Sequence, residues 1–230
     1  MESINQPKTL VEQTYEILLD AICSGELTAG ERLNQDEIAT RLNVSRQPVN
    51  SALSVLKSHG FVTDNGRRGV TVAPIDSEQF RYIYEFRTAI EPFAVTLAGR
   101  NLPDDAKNIA QDMLKRGNDA VQSGDQKAWL VADMAFHEMI YQWGGNTVIQ
   151  SSMRLNWQHI RRTMAEVLKD ASAAQASWDE HTMIIDALLS GDCGAAAIEM
   201  RRHIEAAHKK TFASLGVPLR PAAAPSILKF

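Results

Sequence analysis

The sequence predicts a mainly α-helical protein in two parts: a small amino-terminal module of three short helices and a hairpin, then a longer bundle that is helical throughout. Three observations predict it. Apolar residues recur at near-helical spacing along most of the 230 residues. One β signal stands out, two β-branched runs flanking an Asn-Gly turn between residues 61 and 72. Gly, Pro and Asp breakers cut the remainder into pieces of helical length.

Composition sets the outer limits. With 44% hydrophobic and 23% charged residues, the chain can bury a core in one or two domains and is neither disordered nor membrane-like. No window approaches the ~20 apolar residues of a membrane span. The stretch Met1 to Thr9 is polar and lacks the apolar run of a signal peptide. A reducing cytoplasm is the simplest compartment. Cys23 and Cys193 are too few and too far apart for a disulfide framework or a thiolate metal site, and read as small core residues.

The net charge of −4 argues against a polyanionic partner until the charges are located. Residues 31–69 carry Arg32, Arg41, Arg46, Lys57, Arg67 and Arg68 against Glu31, Asp36, Glu37 and Asp64, a net of +2. A modestly basic surface therefore sits on an otherwise acidic protein.

The first helix is expected from about Thr9 to Ser24, with Leu10, Tyr15, Leu18, Leu19 and Ile22 on its apolar side and Gly25 as its stop. Asn34 can cap a short helix through Leu42. Ser45 can cap a third, Arg46 to Ser58, in which Pro48 falls in the first turn, where a missing N–H costs little. Phe61-Val62-Thr63 and Val70-Thr71-Val72 form the hairpin around a basic, Gly-rich tip. Pro74 to Ser77 reads as a linker, so the first domain is placed at 1–75. Helices follow at about 77–100, 104–123, 126–143, 147–169, 172–190 and 193–214, making a second domain of 76–215. The Pro- and Ala-rich stretch 216–230 reads as a flexible tail.

Three short helices and a hairpin are the order of a winged helix-turn-helix. In the third helix Val49, Ala52, Leu53 and Leu56 make a buried stripe, leaving Ser45, Arg46, Gln47, Asn50, Ser51, Ser54 and Lys57 free to meet phosphates and base edges. The amino-terminal residues of such a helix enter the major groove. Arg67 and Arg68 on the wing can follow the backbone or enter the minor groove. An ordinary solvated face is the alternative reading of the same residues.

The stretches Ala29-Gly30-Glu31-Arg32-Leu33, Ile38-Ala39-Thr40-Arg41-Leu42, Val44-Ser45-Arg46-Gln47-Pro48-Val49 and Arg68-Gly69-Val70-Thr71-Val72-Ala73-Pro74 together resemble the GntR family of bacterial transcriptional regulators over residues 9 to 75. The resemblance implies that Arg32, Arg46 and the wing around Gly69 touch operator DNA. Ala29 stands where the family usually has proline, and Asn50 where many members have arginine, which implies an altered operator sequence.

In the helical part, Asp133 and His137 lie at i and i+4 on one helix face among Met134, Phe136 and Ile140. A carboxylate and an imidazole inside an apolar bundle need partners. His181 and His203 sit on later amphipathic helices and can point inward. Three imidazoles and a carboxylate suit a borderline divalent ion such as Zn, Ni or Mn, with open positions left for a small acid. An i,i+4 ion pair plus unrelated histidines explains the same residues. His159 and His208 read as structural, and Arg154, Arg161 and Arg162 as a solvated or interface face.

Residues 77 to 214 resemble the FCD domain, which defines the FadR subfamily. The carrying motifs are Asp133-Met134-Ala135-Phe136-His137, Glu180-His181 with the Ile184 to Asp192 block, and Met200-Arg201-Arg202-His203-Ile204. The resemblance implies Asp133, His137, His181 and His203 as the metal ligands of its metal-binding members. It also implies that Arg87 reaches an effector pocket; an Arg87–Glu91 surface pair is the plainer reading.

Two rival readings compete with this one. A metal-dependent oxygenase or hydrolase would use similar ligands, but His137-Glu138 is followed by Tyr141 where H-E-x-x-H needs histidine, and no G-x-S-x-G, Walker loop or G-x-G-x-x-G occurs. A fatty-acyl-responsive regulator would need no metal, and all four ligand positions are filled. The expectation is thus a non-enzymatic regulator, a repressor by default. As a homodimer it would bind pseudo-palindromic operator DNA under the control of a small organic acid.

Overall fold

The computed structural model describes residues 8–64, 66, 69–167 and 171–214. It falls into two compact units, Met1–Asp76 with Ser151–Glu166, and Ser77–Gln150 with Val167–Phe230. Arg67 and Arg68 at the wing tip, and the tail 216–230, lie outside the described residues.

In the first unit, α1 (Leu10–Ser24) starts on a reciprocal cap: Thr9 N–H donates to Glu12 Oε2 at 2.8 Å, and Glu12 N–H donates to Thr9 Oγ1 at 3.2 Å. It ends at the left-handed Gly25. Helix α2 (Gln35–Leu42) is capped by Asn34, whose Oδ1 accepts from Asp36 N–H at 3.0 Å. The turn Asn43-Val44-Ser45 leads into α3 (Arg46–Ser58). Ser45 holds the N-cap position as expected, but its side chain makes no capping hydrogen bond. The predicted stripe Val49, Ala52, Leu53 and Leu56 is fully buried against Leu18, Ile22, Phe61 and Val72. That burial aims the other face of α3 outward.

The sheet has a third strand that the sequence does not announce. Strand β1 (Arg32–Leu33) pairs antiparallel with β3 (Val70–Val72), which also pairs with β2 (Val62–Asp64). Two residues are too short for an alternation pattern, and the pairing is non-local.

The 151–166 segment of α7 (Thr147–Val167) completes this unit. His159 stacks on Phe61 with ring centroids 4.2 Å apart, and Arg161 pairs with Asp20 at 2.6 Å. Arg162 is buried and donates to the Ala73 carbonyl. Of the solvated or interface face expected for these arginines, the solvated alternative is corrected for Arg162, whose side chain is buried and donates to a backbone oxygen.

The second unit contains α4 (Ser77–Arg100), α5 (Ala106–Ser123), α6 (Gln126–Gly144), α8 (Ala171–Leu189) and α9 (Cys193–Ser214). Helix α4 packs on α6, α8 and α9, α8 packs on α9, and α5 covers α6 and α8. Gly117 on α5 faces the Trp178 indole so closely that a Cβ there would lie 2.1 Å from it. No helix among the described residues is long and apolar enough to cross a membrane.

Candidate metal centre and nucleic-acid interface

Helices α6, α8 and α9 direct one polar cluster into the second unit's interior. Asp133, His137, His181 and His203 each offer an atom within 4.8 Å of the others, and the three imidazoles are almost wholly buried. His203 Nε2 lies 3.2 Å from His181 Nε2 and 3.3 Å from His137 Nε2, and Asp133 Oδ1 lies 3.5 Å from His181 Nε2. All three rings thus present the same nitrogen inward.

Their outer nitrogens are held differently. His203 Nδ1 is 2.8 Å from Glu180 Oε2. His137 Nδ1 is 2.6 Å from Glu91 Oε2, an ion-pair approach that stands off the ideal N–H line. His181 Nδ1 has no hydrogen-bond partner; its ring is stacked on Phe136 at 3.8 Å and 11°, with Trp178 edge-on at 4.7 Å.

A neutral imidazole whose Nδ1 proton faces a carboxylate carries a lone pair on Nε2. Two such lone pairs, on His137 and His203, confront each other across 3.3 Å. In that tautomer they repel unless a cation lies between them, whereas a proton on either Nε2 makes the contact a hydrogen bond. Ligands bonded at 2.0–2.1 Å to one ion stand ~3.0–3.4 Å apart, which brackets both nitrogen separations. The donor set therefore fits a divalent ion, and the carboxylates behind two rings are the usual outer partners of metal-bound histidine.

Electrostatics agree. Burial lowers the His137 pKa, with Glu91 pulling the other way. Burial first, then His203 and His137, holds His181 well below the ordinary value. Burial alone would raise the Glu91 carboxyl, but Arg87 and then His137 outweigh it and hold the pKa at about 2. The lowered values at His137 and His181 favour the neutral imidazole, the form that binds metal.

Arg87 and Glu91 do pair, but not at the surface: both side chains are buried, at 2% and 0% exposure. Arg87 Nε donates to Glu91 Oε1, while Arg87 Nη2 stands 3.4 Å from His137 Nε2. The surface-pair reading is corrected, because this face of α4 turns toward α6 and α9 rather than to solvent.

The first unit carries the other candidate site. Arg46, Gln47 and Asn50 are exposed on α3, and Ser45 is exposed at its start. Arg32, Asp36, Arg46 and Gly69 line one cleft of about 580 Å³. Gly69 has a φ of 144°, which favours glycine, and a Cβ there would meet Arg32 Nε at 3.1 Å. Arg46 Nε is 2.9 Å from Asp36 Oδ1. Arg32, Arg46 and Gly69 are thus brought together.

Sequence reasoning missed Asp36 as the partner of Arg46, Glu91 as the partner of His137 and Glu180 as the partner of His203. Glu91 had a signal: it stands in the apolar run Ile90-Glu91-Pro92-Phe93-Ala94-Val95, where a solvated carboxylate is out of place.

Residues 10–72 match the family model of the bacterial regulatory proteins, gntR family, and residues 82–206 match that of the FCD domain. The chain belongs to the FCD-domain regulators of the gntR family. It is 24% identical over 144 residues to the HTH-type transcriptional regulator YdhC of Bacillus subtilis, a match spanning 62% of this chain and 64% of that regulator's length. It is 23% identical over 198 residues to the probable D-xylose utilization operon transcriptional repressor of Paenarthrobacter nicotinovorans, spanning 86% of this chain and 87% of the relative. The solved structure of E. coli McbR/YncC shares the fold, with a TM-score of 0.79 at 19% identity over 91% of this chain and all of that one. The family and these relatives are regulators of transcription, not enzymes, so the oxygenase and hydrolase alternatives fall away.

Proposed function

We propose that this gntR-family regulator is a repressor of the FadR subfamily whose hold on operator DNA is set by a small organic acid bound at a metal centre. In this reading residues 1–75 form the DNA-reading domain and 76–215 the effector-binding and dimerisation domain. A cytoplasmic homodimer presents two α3 helices to a pseudo-palindrome. Arg32, Ser45, Arg46, Gln47, Asn50 and Gly69, with Arg67 and Arg68 on the wing, carry the DNA contacts.

Asp133, His137, His181 and His203 hold the ion, with zinc first and nickel or manganese also suited to this donor set. When bound, the ion supplies a Lewis-acidic anchor for carboxylate and hydroxyl oxygens. Arg87 supplies a guanidinium beside it for an acid group. The effector is a 2-hydroxy acid, a sugar acid or a dicarboxylate, and a relative named for D-xylose utilization favours the sugar-derived class. Effector binding acts by preferring the DNA-incompetent state, which releases the operator.

The observation that carries this reading is the 3.3 Å approach of His137 Nε2 to His203 Nε2, each ring with a carboxylate behind its other nitrogen. Elemental analysis tests it. Wild type should retain a divalent ion that the His181→Ala/His203→Ala protein loses; equal content in both overturns the site. In a melting screen of the three acid classes, the metal-loaded wild type should respond and the double mutant should not.

A further inference from the structure

Glu91 lies on α4, one turn after Arg87, and is wholly buried. A buried carboxylate survives only with its charge compensated and its oxygens engaged. Its two oxygens go to different partners: Oε1 accepts from Arg87 Nε, and Oε2 lies 2.6 Å from His137 Nδ1. Arg87 closes the ring of contacts, its Nη2 standing 3.4 Å from the opposite nitrogen of the same imidazole. Carboxylate and guanidinium thus grip His137 from its two sides.

We infer that Glu91 is a positioning residue that couples the effector arginine to the metal ligand, one oxygen fixing the His137 tautomer and ring plane and the other parking Arg87. This rests on the metal and effector reading above. A ligand carboxylate that draws Arg87 away leaves Glu91 undivided behind His137, a stronger acceptor for Nδ1–H and a more basic ligand nitrogen at Nε2. Acid and ion therefore favour each other through Glu91 as well as through direct contact, and the coupling is reciprocal.

Zinc affinity, measured by competition with a chromophoric chelator, tests the inference on four full-length proteins: wild type, Glu91→Gln, Arg87→Met and the double variant Arg87→Met/Glu91→Gln. Glu91→Gln should bind zinc about 10- to 100-fold more weakly. The double variant holds no uncompensated buried arginine and should fold even where Glu91→Gln does not; it should show the same loss. Arg87→Met should bind zinc at least as tightly as wild type. The ¹⁵N shifts of His137 give a second readout, a fixed Nδ1–H tautomer in wild type and a mixture once Glu91 is Gln. Equal zinc affinity in all four proteins overturns this inference while leaving the metal site standing. No zinc uptake by wild type overturns the metal reading and this inference with it.

Discussion

Glu180 precedes His181 in sequence yet serves His203, on another helix: its Oε2 lies 2.8 Å from His203 Nδ1, 23 residues away. One turn of α8 thus supplies an inward nitrogen from His181 and an outer carboxylate for its neighbour. Glu180 is a quarter exposed, whereas Glu91 is wholly buried. Solvent therefore shares the task, and Glu180→Gln should weaken zinc binding by about tenfold, the low end of such substitutions. Chelator competition measures it. A loss as large as that of Glu91→Gln would contradict this ranking by burial.

Asp36 sets a charge against Arg46, the arginine proposed to read DNA. It pairs with Arg46 across 2.9 Å, both groups well exposed, on the face proposed to meet DNA phosphates. Arg46→Ala should cost operator binding about 1–3 kcal/mol and relax specificity. Asp36→Asn keeps the shape and removes the repulsion, so binding to random-sequence DNA should tighten several-fold while discrimination narrows. Fluorescence anisotropy on operator and random duplexes at fixed salt reads both. Unchanged random-sequence affinity would show that Asp36 does not face the phosphates.

His159 gives the first unit an acid-labile seam. Burial, against a smaller opposing effect of the hydrogen bond its ring donates to the His59 backbone carbonyl, pulls its pKa down to about 4 as it stacks on Phe61. Unfolded, the ring protonates near pH 6.5; folded, it resists until about pH 4. Stability is thus unaffected above pH 6.5 and falls as pH drops from there to about 4, by up to about 3 kcal/mol. His159→Phe keeps a stacked ring without the titration. Its denaturant midpoint should fall less than that of wild type between pH 7 and 4.5, and identical pH profiles would refute the assignment.

Gly117 opposes two helical rules. Alanine is the better helix former by about 1 kcal/mol, but its methyl would overlap the Trp178 indole, and overpacking costs about 1–3 kcal/mol. Because Trp178 stands edge-on to His181, the displaced ring also disturbs a proposed ligand. Gly117→Ala should lower Tm by several degrees and shift tryptophan emission. A raised Tm would mean that propensity outweighs the close approach.

The sequence made the helices legible because their ends are chemically marked: Gly25, Gly124 and Gly145 close α1, α5 and α6 in the left-handed conformation. The stripe of α3 was equally legible, since Val49 to Leu56 repeat with the helix. The four inward-facing groups were nameable because Asp133 and His137 share a face and the motifs supplied His181 and His203. Partners separated in sequence were not. The helical period puts Arg87 and Glu91 on one side of α4 but does not say what covers that side. The two residues of β1 form a strand because β3 lies beside them. Arg162 is buried because Ala73 offers its carbonyl, a pairing across 89 residues that no local pattern encodes.

The three imidazoles are unequally fastened. His137 and His203 have carboxylates behind them, whereas His181 rests on the flat face of Phe136 and has nothing hydrogen-bonded to Nδ1. Stacking resists tilting of the ring but lets it slide and turn in its own plane. An ion leaving the proposed centre would therefore let go of His181 first. The residence time of the metal would then be governed by how tightly α6 and α8 clasp two aromatic rings. A substitution such as Phe136→Leu would act as a rate mutation, hastening exchange without removing a single ligand.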